Sequence, residues 1–139
     1  MTRATTMLVM LATLVLTAPV AHAETDEQLA EDLVRHERFA AEPVKEIRNF
    51  RLYRWKPLGE TALAIWANPG RLYLVEVDAP CNGLDWTRTI RVSSTARVIS
   101  SRFDAVEFGS QRCQIVRIRP VDEKGMWAER RRERESERR

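Results

Sequence analysis

Asn68-Pro69-Gly70 separates two short apolar runs, Thr61–Ala67 and Arg71–Val77, and no other segment constrains the fold of this chain as strongly. Proline fits the second position of a type II turn, and glycine fits the third, where φ is positive. The segment therefore predicts an antiparallel hairpin. Alternation puts Leu63 and Ile65 on one face of the first arm and Trp66 on the other. In the second arm Tyr73, Val75 and Val77 share a face opposite Leu72 and Leu74. Both faces are apolar, which places the hairpin centrally in a sheet or in the wall of a barrel.

Further short β-type runs surround it: Phe50–Trp55, Thr89–Val92, Ala96–Ile99, Phe103–Phe108 and Cys113–Arg119, the last expected to end at Pro120. Gly109-Ser110-Gln111-Arg112 predicts a second hairpin over Phe103–Arg119. Ahead of these runs, Thr25-Asp26-Glu27-Gln28 fits a capping box for a helix to about Ala41, before Pro43. Its stripe of Leu29, Leu33 and Ala40, with Phe39 at the margin, is thin, so the helix is expected on the domain surface. The fold class expected is α+β and mostly β: an N-terminal helix on a small antiparallel sheet or partly open barrel, with one disulfide.

The disulfide follows from the start of the chain. Arg3, an apolar run from Met7 to Leu16 and the small residues of Ala21-His22-Ala23 form the pattern of a signal peptide, cleaved between Ala23 and Glu24. The run is too short to span a bilayer, and no cysteine follows it to accept a lipid, so neither a transmembrane segment nor a lipid anchor is expected in the mature chain. A periplasmic or secreted location is expected. In an oxidising compartment Cys81 and Cys113, the only cysteines, read as a bridge. The expected organisation is residues 1–23 as leader, 24–46 as helix and linker, 47–121 as β-rich domain and 122–139 as charged tail.

The net charge of +3 conceals a segregation of signs. Glu24–Glu46 carries eight acids against three bases, whereas Ile47–Arg119 carries twelve bases against six acids. The tail, with six arginines and four glutamates from Glu129 onward, has no apolar residue to bury, and a solvated end, partly helical or disordered, is expected; the interspersed glutamates weaken the alternative of a phosphate- or membrane-seeking arm. Arg48, Arg51 and Arg54 recur every third residue, Arg88, Arg91 and Arg97 lie in the middle strands, and Arg117 and Arg119 share a face. If they converge, they form a surface for anionic lipid headgroups, acidic glycans or a partner; the alternative is neutralisation by the acidic helix.

The ordered set Ile47-Arg48-Asn49-Phe50, Leu72-Tyr73-Leu74-Val75, Ala79-Pro80-Cys81-Asn82-Gly83-Leu84, Phe103-Asp104-Ala105-Val106 and Cys113-Gln114-Ile115-Val116-Arg117-Ile118 resembles domain-of-unknown-function family 6491, small exported bacterial proteins. The resemblance implies export and a compact β-rich domain, and no activity. It is also associated with additional cysteines and a lipoprotein-type leader, which this chain lacks.

Signatures of catalysis are missing: there is no GxSxG, P-loop, GxGxxG or HExxH. No motif points to a cofactor or metal, and none to nucleic acid. His36, among Arg35, Glu37 and Arg38, reads as a surface residue. Asp85 beside Trp86 and Asp104 beside Phe103 are the acids available to a small envelope hydrolase, with a turn cap and a structural acceptor as their plainer roles. Trp55 and Trp66 read as core, and Trp86 as a candidate ligand contact. The preferred reading is an exported, non-enzymatic envelope accessory or binding module with an unidentified envelope partner or anionic ligand. The candidate binding residues are Arg48, Arg51, Arg54, Trp86, Arg88 and Arg91.

Overall fold

A computed structural model describes residues 24–139; the predicted leader lies outside the described residues. Helix α1 spans Asp26–Arg38. Eight strands follow: β1 Glu46–Ile47, β2 Leu52–Pro57, β3 Ala62–Ala67, β4 Leu72–Val77, β5 Arg91–Val92, β6 Ile99–Ser100, β7 Ala105–Phe108 and β8 Gln111–Val121. Helix α2, Glu123–Glu137, ends the order. Six strands form one antiparallel sheet in the order β2-β3-β4-β8-β7-β5, nearly closed into a barrel, and β1 pairs with β6 in a second small sheet.

The central hairpin is β3–β4, with Leu63 opposite Val75 and Ile65 opposite Tyr73. Gly70 takes φ +80° and the Arg71 amide donates to the Asn68 carbonyl at 3.4 Å, as a type II turn requires. A Cβ at Gly70 would meet no atom within 4 Å, so a substitution there is penalised by backbone conformation alone. Gly70→Ala is expected to cost about 1–2 kcal/mol, with a smaller loss for Gly70→Asn. Urea unfolding checks this, and equal stability of all three proteins would refute the turn assignment.

The two faces of the hairpin feed two apolar clusters. Inside the curled sheet, Leu63, Ile65, Val75 and Val77 join Ile47, Leu84, Ile99, Val106, Ile115, Ile118 and both cysteines. On the outer face Ala62, Ala64, Trp66, Leu72 and Leu74 meet Leu58, Val121 and Met126, with Leu33, Phe39 and Ala40 against them. The helices cover this second face.

The capping box at the start of α1 and the expected disulfide are both present. Thr25 and Gln28 form the capping box, the Gln28 amide donating to Thr25 Oγ1 and the Thr25 amide to Gln28 Oε1. Cys81 and Cys113 are bonded, their Cα atoms 5.7 Å apart, and tie the loop after β4 to the start of β8. Pro120 corrects the expected end of the last strand, which runs through it to Val121. The Pro120 carbonyl accepts from the Ala41 amide, away from β4. A residue's N and O point to the same side of a strand, so its missing N–H removes nothing from the β4–β8 ladder. Of the two states open to the tail, helical or disordered, the structure shows the helix: Glu123–Glu137 is helical, with the Gly125 amide donating to the N-cap Asp122 carboxylate at 3.0 Å.

Candidate ligand cavity

A bulge creates the site. In β2, Leu52 is opposite Ala67 but Arg54 is opposite Trp66, so Tyr53 is the extra residue. Strict alternation would turn Leu52 and Arg54 to the same face. The bulge instead leaves Leu52 with the inner cluster and puts Arg54 beside Trp66, on the face that the helices cover. Lys56, opposite Ala64, shares that outer face.

Between this face and the helices lies a cavity of about 280 Å³. Its walls are Asp32, Arg35 and His36 from α1, Arg54, Trp55 and Lys56 from β2, Trp66 from β3, and Met126, Trp127 and Arg130 from α2. The Arg54 guanidinium lies 3.9 Å from the centroid of the Trp66 ring, and Arg130 lies 5.5 Å from that of Trp127. Both indoles donate to one carboxylate, Glu123 Oε1, at 2.7 Å from Trp66 and 3.3 Å from Trp127. Glu123 thereby fixes two walls at once. A cationic rim over flat aromatic walls can hold an anion attached to an apolar body.

The helices close over this cavity through charges of both signs. Lys56 bonds Asp32 and reaches Glu24 at 2.8 Å; Arg35 bonds Glu133 at 3.0 Å, and Arg38 bonds Glu129 at 2.7 Å. The glutamates of the tail, four residues apart, thus face the arginines of α1. Burial alone would raise the Asp32 carboxyl, but the hydrogen bond and charge of Lys56, with the charges of Arg130 and His36, hold it below the ordinary range. Burial alone would lower Lys56, and its bonds to Asp32 and Glu24 hold it above the ordinary lysine value instead.

His36 is 5% exposed, not a surface residue. Leu29, Leu33, His36 and Ala40 lie at helical spacing, so the periodicity contained the signal that its charged neighbours obscured. Its Nδ1–H donates to the Asp32 carbonyl at 2.7 Å, an assignment that follows from that oxygen being an acceptor only. Nε2 is buried without a partner. Burial lowers the imidazole pKa below its ordinary value, the hydrogen bond to Asp32 opposing only in part. A base held neutral in the folded state stabilises it fully above the unfolded pKa of about 6.5. As pH falls through that value the unfolded chain binds a proton that the folded chain does not, and stability is lost. The melting temperature of residues 24–139 is expected to fall from pH 7 to pH 5, and His36→Leu is expected to flatten that fall. Asp32 titrates at lower pH, outside this window, so an unchanged slope in the variant would assign the effect elsewhere.

The other residues singled out from the sequence occupy separate places. Arg48 is exposed and pairs with Glu46 at 2.6 Å, and Arg51 is exposed. Trp86, 81% exposed, shares a groove with Asp85, Arg88, Glu24, Thr25, Asp26 and Leu29. Arg91 lies across from Glu107 in a hollow that also contains Arg112. Arg117 pairs with Glu76, and Arg119 donates to the carbonyls of Ala40 and Ala41. Of the six candidate binding residues, only Arg54 lies in the cavity between the helices and the sheet. Asp104 is buried; it accepts from Ser93 Oγ at 2.8 Å and from the Ser100 amide at 2.7 Å, a structural acceptor clamping the β5–β6–β7 corner. It is not among the residues lining the groove that holds Asp85, whose Oδ1 is buried without a partner.

Among the described residues no helix is long and apolar enough to cross a membrane, and no cluster of three or more His, Cys, Asp or Glu is placed to hold a metal ion. Residues 1–137 match the model of a family of unknown function, DUF6491. No curated protein and no solved structure matches the chain.

Proposed function

We propose that this chain, which belongs to the family of unknown function DUF6491, is an exported, non-enzymatic binding module of the cell envelope that holds a small anionic ligand between its helices and its sheet. The observation that carries the reading is the pair of arginines stacked on tryptophans in the walls of a cavity, Arg54 on Trp66 and Arg130 on Trp127. Stacking orients a guanidinium while leaving its N–H fork free for an anion. The same stacking supports assigning anion binding to one cavity rather than to the basic strands at large. Export rests on the leader pattern of residues 1–23 and on the buried Cys81–Cys113 bridge, which suits an oxidising compartment.

Two measurements test the proposal. Mass spectrometry of the protein from fractionated cells is expected to find a chain beginning at Glu24 outside the cytoplasm. A full-length chain in the cytosol would reject export. In a small-molecule screen by nuclear magnetic resonance, anionic compounds with apolar bodies are expected to shift the indole signals of Trp66 and Trp127 while leaving that of Trp86 in place. A library that moves neither indole, or a substrate turned over by the purified protein, would reject the binding reading.

A further inference from the structure

We infer that the cavity selects a flat aromatic monocarboxylate that also carries a hydroxyl or ring N–H donor; this deepens the anion-binding reading above and rests on it. Three groups that the protein's own bonding leaves over define such a ligand.

The first two are cations. Lys56 is held between Asp32 and Glu24, and Arg35 reaches both Glu133 and Asp32. Arg54 meets Glu123 only at 3.8 Å, the outer limit of an ion pair. Among the described residues Arg130 has no carboxylate within 4.0 Å, although it is half-buried over Trp127. Two under-used guanidinium forks therefore face one cavity, and a carboxylate suits them in geometry as well as charge. Asp32 in the wall and Glu123 behind the indoles oppose any further negative charge, which argues for a monoanion over a phosphate or polyanion.

The third group is an acceptor. With Nδ1–H committed to the Asp32 carbonyl, neutral His36 presents a lone pair at Nε2, and no protein donor meets it. A buried acceptor without a donor is costly, and a ligand hydroxyl or N–H relieves that cost. A carboxylate cannot, since it only accepts. The ligand therefore has two different polar ends. Between them the walls are flat and apolar, formed by Trp66, Trp127 and Met126. A volume of about 280 Å³ equals roughly nine waters at about 30 Å³ each, which suits a single substituted ring.

Calorimetric titration of residues 24–139 with 4-hydroxybenzoate, benzoate, phenol and inorganic phosphate tests the inference. 4-Hydroxybenzoate is expected to bind at least tenfold more tightly than benzoate or phenol, and phosphate more weakly than all three. Arg130→Gln is expected to weaken both carboxylates at least tenfold and leave phenol unchanged. His36→Leu is expected to bring 4-hydroxybenzoate to the level of benzoate. Equal binding of 4-hydroxybenzoate and benzoate by the unsubstituted protein would overturn the donor requirement whatever the variants do. Tightest binding of phosphate or phenol would overturn the carboxylate. Either result leaves a small-ligand cavity standing, whereas failure of every compound in the wider screen to move the indoles removes the cavity reading itself.

Discussion

Replacing Cys81 and Cys113 together by alanine is expected to lower stability by about 3–4 kcal/mol and the melting temperature by roughly 15 °C. The bridge closes a loop of 32 residues, and without it the unfolded chain regains the freedom of that loop. The loss is a large part of the roughly 5–15 kcal/mol available to a small domain. The loop includes β5, β6 and β7, and two of these strands have only two residues each. Elements so short contribute few ladder bonds of their own. Among the described residues β5 pairs only with β7 and β6 only with β1, so the covalent tie to β8 limits how far this segment can depart. Both cysteines are buried in the inner cluster, so the alanines also leave a small void. Reduction without substitution separates the two effects, because it opens the loop and leaves the sulfurs in place. A loss below about 1 kcal/mol on reduction would show that the β8 pairings hold this half of the barrel without the bridge.

What could be read from the sequence was local. The type II turn, the two faces of β3 and β4 and the capping box each depend on residues a few positions apart, and the structure reproduces them. The cavity depends on events that leave no such trace. The Tyr53 bulge reverses which face Arg54 occupies, and nothing in Leu52-Tyr53-Arg54-Trp55 distinguishes a bulged strand from a regular one. Ala96 and Arg97 take positive φ between the bridged residues Thr95 and Val98, without a glycine to mark the turn, so Ala96–Ile99 reads as a strand where the structure has a turn leading into β6. His36 was legible in principle from its place in the helical stripe, but its neighbours in sequence pointed to solvent. Trp55 and Trp66 do pack against core clusters as expected; lining a cavity is a second role that hydrophobicity alone cannot reveal.

The tail carries the same lesson in energetic form, and Met126→Ala is expected to cost about 2–5 kcal/mol. Met126 is the only buried residue of α2 and inserts into the outer cluster that also contains Trp66, Leu72 and Leu74. The helix is otherwise held to α1 by the Arg35–Glu133 and Arg38–Glu129 pairs. Pairs that remain partly solvated are each worth about 0–1 kcal/mol, so the single apolar anchor outweighs them. A sequence of alternating arginines and glutamates looks solvated because that anchor lies just ahead of it. Met126→Leu conserves volume and is expected to cost less than about 1.5 kcal/mol, as is the double variant Arg35→Gln/Glu133→Gln. Urea unfolding ranks the three. Because Met126 also lines the cavity, Met126→Ala is expected to change the fluorescence of Trp66 and Trp127 under native conditions, before any unfolding. If Met126→Ala cost no more than the double charge variant, α2 would be an electrostatic appendage. The cavity wall it supplies would then loosen with added salt, because screening weakens solvated ion pairs and leaves apolar burial intact.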